Sequence, residues 1–226
     1  MAAERNGRPD VAQRILDQAT RLFARHGFVG ASLRDIAVAV GIRKPSLLYH
    51  FPSKDELRRS VLEQMLSHWN EAVPRILRAA TSGPEQFDAI AAETLSFFSE
   101  DPDRARLLLR ELLDRPEEIA PMVAQRVQPW AKIVCDYIRK GQAHGRVHSD
   151  VDPEAYVAQV INLVLCGFAT HASLRNVLAA DTTDRQTSDR EATSRLLREM
   201  LRVAKSSLFP PVPADPPARA PAEQRA

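Results

Sequence analysis

Apolar residues recur along this chain at three- and four-residue spacing, and Gly, Pro and polar clusters cut the pattern into segments. Val11, Ile15, Ala19, Leu22 and His26 form the first stripe, predicting a helix from about Pro9 to His26. Leu33, Ile36, Ala37 and Val40 form a short second one, opened by Ser32 as a candidate N-cap. It closes at Gly41, whose permissive backbone suits a sharp turn. A third short helix is predicted at roughly Pro45 to Phe51, with Ile42 plugging the angle and Pro45 in the first turn, where its missing N–H costs nothing. Ser53, with Glu56 three residues on, reads as a capping box for a long fourth helix through about Ala79. Its Leu57, Val61, Met65, Trp69, Val73 and Ile76 make one continuous stripe.

A Thr81-Ser82-Gly83-Pro84 break follows. Further helices are predicted at about 85–99, 102–114, 117–145, 153–179 and 186–208, punctuated by Asp101-Pro102, Arg115-Pro116, Gly145 and Asp152-Pro153. Pro129 should kink or divide the third of these. The fold class is therefore all-α. The expected layout is a helix-turn-helix domain over 9–53, a linking helix over 54–79 and a second helical domain over 80–209. A polar leader (1–8) and a tail with six prolines (210–226) are expected to be disordered. There is no internal repeat.

Short helix, glycine turn and short helix with a polar face is the helix-turn-helix DNA-binding unit, although an ordinary pair of core helices shares that spacing. Charge adds weight to the first. The net charge of +2 divides into +5 over residues 1–60 (11 Lys/Arg, 6 Asp/Glu) and −3 over the remainder (20 against 23). The basic end is the helix-turn-helix end, as phosphate binding requires.

The run from Ile15 to Leu57 resembles the DNA-binding domain of the TetR family of transcriptional regulators. The resemblance rests on Ala19, Leu22, Phe23, Gly27, Phe28, Ser32, Ile36, Ala37 and Gly41, then Leu48, Tyr49, His50, Phe51, Lys54 and Leu57. This chain departs from the pattern at Arg43 and Pro45, so its base preference should differ there. The residues read as DNA-binding are Ser32, Arg43, Lys44, Pro45, Ser46, Tyr49, His50 and Lys54. Arg43 and Lys44 can reach phosphate, and Arg43 also a guanine edge by bidentate contact. Ser46, Tyr49 and His50 offer donors to phosphate, the role the resemblance implies for the tyrosine and histidine. Lys54 adds charge at a helix N-terminus, and Ser32 caps its own helix first. Leu47, Leu48 and Phe51 are assigned to packing.

The resemblance further implies that the second domain dimerises and binds a small-molecule inducer. The helices near 153–179 and 186–208 carry apolar faces, Val157, Ile161, Val164, Leu165 and Phe168, then Leu197, Met200, Leu201 and Ala204, suited to a symmetric four-helix bundle in a homodimer. Packing inside one subunit is the alternative. Candidate walls for an effector pocket are Trp69, Phe97, Phe98, Leu108, Met122, Trp130, Tyr137 and His171, an apolar set suited to a small hydrophobic or aromatic molecule. Arg110 and Glu111 are either polar anchors or, more commonly for such a sequence, a surface pair. The expected function is a ligand-responsive transcriptional regulator, a repressor by family default. It would be released from a palindromic double-stranded DNA operator when ligand displaces the fourth helix.

Two other classes compete. A ligand-independent architectural DNA binder would use the same head. An enzyme is disfavoured: the histidines sit in no HExxH frame, and there is no phosphate loop or G-x-S-x-G elbow. His144, His148, Asp150 and Asp152 cluster in a turn that reads as a solvated loop rather than a metal site. No cofactor is expected. Cys135 and Cys166 read most simply as buried free thiols of a reducing compartment, with redox sensing or a disulfide as the alternatives. The N-terminus lacks a signal-peptide h-region, and no apolar run is long enough to span a bilayer, so a cytoplasmic protein without membrane contact is expected.

Overall fold

In the computed structural model, residues 10–79, 83–178 and 185–211 are described. Among them the regular structure is entirely helical: α1 (Val11–Gly30), α2 (Leu33–Val40), α3 (Lys44–His50), α4 (Lys54–Ala79), α5 (Gly83–Glu100), α6 (Asp103–Asp114), α7 (Pro116–Ala143), α8 (Pro153–Leu178) and α9 (Arg185–Leu208). The all-α expectation holds, and the helix boundaries fall within a few residues of those predicted. The leader, the Thr81-Ser82 break and the tail from 212 lie outside the described residues.

α1 buries Ile15, Ala19, Thr20, Phe23 and Ala24, so its inward face is rotated from the predicted stripe and His26 is exposed. The helix bends at Gly27 (φ 70°, ψ 170°), a left-handed φ that glycine adopts without steric cost. Beyond the bend Phe28 folds back to lie 5.7 Å from Phe23. α4 then runs from this head into the body and packs chiefly along α7, while α1 packs on α6. One continuous core therefore spans both parts, from Ile15, Ile36 and Leu47 through Leu57 and Val61 to Leu107, Phe98 and Phe168.

The joint between head and body is ionic as well as apolar. Arg58 of α4 donates through Nε to Glu111 Oε2 at 2.8 Å and through Nη1 to Glu118 Oε2 at 2.7 Å. Glu111 is 3% exposed, so the surface-pair reading of Arg110 and Glu111 is wrong: Glu111 sits beside Leu107 and Leu108 on the buried side of α6. The Phe28 ring lies amid three cations, with Lys54 Nζ at 4.4 Å and the guanidinium carbons of Arg115 and Arg58 at 4.5 and 5.4 Å. Arg25 reaches the buried Asp103 at 3.4 Å.

Pro129 does not divide α7, which also contains Pro121. Pro129 has no N–H to give to the preceding turn, and Asn70 of α4 donates to the Arg126 carbonyl there at 2.8 Å.

The apolar faces assigned to dimerisation need correcting. Val157, Val164, Leu165, Phe168, Met200 and Ala204 are buried within the single protomer, and Ile161, Leu197 and Leu201 are partly buried. The reason is that α8 is flanked by α6, α7 and α9, so its stripe is covered by the chain itself; Phe168, for example, sits 5.3 Å from Phe98. The outward face of α8 is instead Ala158, Gln159, Asn162, Leu163 and Cys166. Cys166 is thus exposed, against expectation, whereas Cys135 is buried and its thiol is pushed above the usual range by desolvation.

Candidate nucleic-acid interface

The helix-turn-helix is set by three local devices. Ser32 Oγ accepts the Asp35 backbone N–H at 3.1 Å, capping α2. At the other end Gly41 is left-handed (φ 79°, ψ 33°). Its N–H donates to the Val38 carbonyl at 3.0 Å, and the Ile42 N–H to the Ala37 carbonyl at 2.9 Å, the paired bonds of a Schellman cap. Arg14 of α1 donates to the Val40 carbonyl, closing the corner. α3 then starts from an extended Arg43 with Pro45 in its first turn.

α3 is held from beneath by Leu47, which is fully buried, with Phe51 buried just beyond it. Its other side faces solvent. Arg43, Lys44, Pro45, Ser46, Tyr49 and His50 are all exposed, Tyr49 to 87%. The Tyr49 and His50 rings meet edge to face at 5.5 Å, which orients the two donors together. Lys54 is partly buried: its ammonium lies over Phe28 and donates to the Val29 carbonyl at 3.4 Å. Ser32 is committed to its cap and to the Asp35 carboxylate at 2.6 Å. Of the predicted DNA-binding positions, six thus share one open surface, while Ser32 and Lys54 carry internal duties.

Residues 15–61 match the family described as "Bacterial regulatory proteins, tetR family", and residues 84–200 match "Tetracyclin repressor-like, C-terminal domain". The second match alone spans more than half of the chain. This chain belongs to the TetR family. It is a DNA-binding transcriptional regulator and not an enzyme.

Among TetR-family relatives, it is 27% identical over 175 residues to the HTH-type transcriptional repressor ComR of Escherichia coli, covering 74% of this chain and 82% of ComR. It is 28% identical over 160 residues to the HTH-type transcriptional repressor Rv1474c of Mycobacterium tuberculosis, covering 69% and 78%. Among solved structures, a transcriptional regulator from Saccharomonospora viridis in complex with choline superposes with a TM-score of 0.63 at 18% identity, covering 89% of this chain and 99% of that one.

The TetR-type body brings together only part of the predicted effector wall. Trp69 contacts Phe97 at 5.3 Å, Phe98 at 6.4 Å and Trp130 at 6.3 Å, and His68 stacks on Phe97 at 4.6 Å. Leu108 and Met122 belong to the same core. Tyr137 is partly buried and joins no described ring cluster, and His171 is tied to the Phe168 carbonyl at 2.7 Å. These side chains pack against one another. The open spaces lie elsewhere: a cleft of about 310 Å³ at the head–body joint, lined by Phe23, His26, Phe28, Arg110 and Arg115, and an apolar groove of about 340 Å³ along Ile119, Val123, Val127 and Ala131. Sequence reasoning missed Arg58, Glu118 and Arg126. The available signal was a charged residue on an apolar helix face, as with Arg58 between Leu57 and Val61. In the α7–α8 turn, Asp152 caps α8 by accepting the Ala155 N–H at 2.8 Å, and His144 is held by the Lys140 carbonyl at 2.7 Å.

Proposed function

We propose that this chain is a homodimeric repressor that grips a near-palindromic operator through α3 of each copy and lets go when a small hydrophobic or aromatic effector enters its body. The carrying observation is the exposed face of α3, Arg43 to His50, mounted on a fully buried Leu47. Such a helix presents a rigid set of donors of major-groove size. In this reading residues 9–53 are the head, 54–79 the link and 80–209 the body, and the protein works in the cytoplasm. ComR and Rv1474c are named repressors, which supports repression here, and the Saccharomonospora viridis regulator of the same fold was solved in complex with choline, which supports a small-molecule effector. The dimer surface is assigned to the outward face of α8, around Leu163 and Cys166, with Val203 of α9.

Within α3, Lys44, Ser46, Tyr49 and His50 serve phosphates and Arg43 reads a base edge; Pro45 sets the start of the helix. Lys54 supports the phosphate side from its seat on Phe28. Phosphate contacts set affinity and salt dependence, and base contacts set preference. Tyr49→Phe is therefore expected to weaken binding uniformly across sequences. Arg43→Ala is expected to cost about 1–3 kcal/mol on the preferred operator and little on random DNA. Fluorescence anisotropy on both DNAs checks this; equal losses for Arg43→Ala would remove it from base readout.

A further inference from the structure

Resting on the reading that the body binds an effector among its middle helices, we propose that this effector is an uncharged aromatic molecule bearing a carbonyl oxygen. It is held between α4 and α7 by the Trp130 indole N–H and the Arg126 Nε–H. Both nitrogens are buried and meet no acceptor among the described residues. They lie four residues apart on α7, hence one turn apart on one face. Buried donors are nearly always paired in folded proteins, so two orphans on one face mark a place where an acceptor belongs.

The surroundings specify the rest of the molecule. Trp130 faces Trp69 of α4, which is packed on Phe97 and Phe98, an aromatic wall that favours a flat ring in offset or edge-on contact. Charge narrows the choice. The Arg126 guanidinium already has Glu63 Oε1 at 3.8 Å. A carboxylate ligand would bring a second negative charge beside Glu63, and a cation a second positive charge beside Arg126, so either pays desolvation against a like charge. A carbonyl accepts from both donors at no cost in charge. The Trp69 and Trp130 rings fill the seam, and Asn70 of α4 holds the Arg126 carbonyl, so a guest enters only by parting α4 from α7 and thereby displaces the helix that carries the head.

The test uses the full chain and three probes of one shape: 2-acetylnaphthalene, 2-ethylnaphthalene and 2-naphthoate. The chain's two tryptophans, Trp69 and Trp130, both sit at the seam, so intrinsic fluorescence reports binding, with calorimetry as the second readout. 2-Acetylnaphthalene is expected to bind at least tenfold tighter than either other probe, equivalent to 1.4 kcal/mol. Trp130→Phe and Arg126→Lys should each reduce that preference, the ratio of acetyl to ethyl affinity, to threefold or less. Should either variant fail to fold, the three affinities of the unmodified chain still decide. Equal binding of the acetyl and ethyl probes, or tighter binding of the anion, overturns the carbonyl assignment while leaving the effector site standing. No binding of any probe overturns both.

Discussion

Arg58 and Glu111 each interrupt an apolar helix face, and burial would penalise either charge without the other. Their side chains are 11% and 4% exposed, so water screens the pair poorly. Arg58 keeps Glu118 as a partner if Glu111 is removed, whereas removing Arg58 strands the buried Glu111. Arg58→Met is accordingly expected to destabilise the fold by about 3–5 kcal/mol, read by urea unfolding. Tyr156 gives the residue scale its pH signature. Its hydroxyl donates to the Ala204 carbonyl at 2.8 Å, and burial pushes its ionisation well above the ordinary tyrosine range. The unfolded tyrosine ionises near pH 10, so this stabilisation is complete below that value and is lost as pH rises above it. Tyr156→Phe should lose about 1 kcal/mol at neutral pH and show a shallower alkaline decline in stability. Ser32, Gly41 and Ser53 act through neighbours within five residues and were legible in the sequence. The Arg58–Glu111 pair, separated by 53 positions, was not, because only the fold brings its members together.

At the scale of elements, α2, the turn and α3 form a unit whose geometry is fixed by the Schellman cap at Gly41. A β-branched side chain there would be strained by the left-handed φ of 79°, although nothing within 4 Å would obstruct its Cβ. Gly41→Val is expected to cost about 1–2 kcal/mol from the backbone alone. It should tilt α3 and weaken operator binding more than it lowers thermal stability, measured by anisotropy beside a melting curve. Periodicity located every one of these helices yet misassigned the faces of α8 and α9. An apolar stripe declares that it will be covered without declaring by what, and α8 turned out to be enclosed by α6, α7 and α9. α7 carries the same lesson in reverse. Pro129 alone reads as a break, yet α7 runs through it, and beside the proline Asn70 of α4 donates to the Arg126 carbonyl.

For the whole molecule, the governing feature is a head joined to a body through α4, with the Arg58–Glu111–Glu118 ion pairs and the Phe28 cation cage at the joint. The two share one core, so in the proposed reading a displacement of α4 in the body would be carried to α3. In a symmetric dimer the two α3 helices would sit about one DNA turn apart, roughly 34 Å. In the proposed reading, an effector would act by changing that spacing. Selection of bound DNA from a random pool by the full chain tests this most directly. The predicted outcome is an enriched inverted repeat whose half-site centres lie about 10 base pairs, or a multiple of that, apart. Recovery of a single unrepeated half-site, or of no consensus, would contradict a two-headed reader.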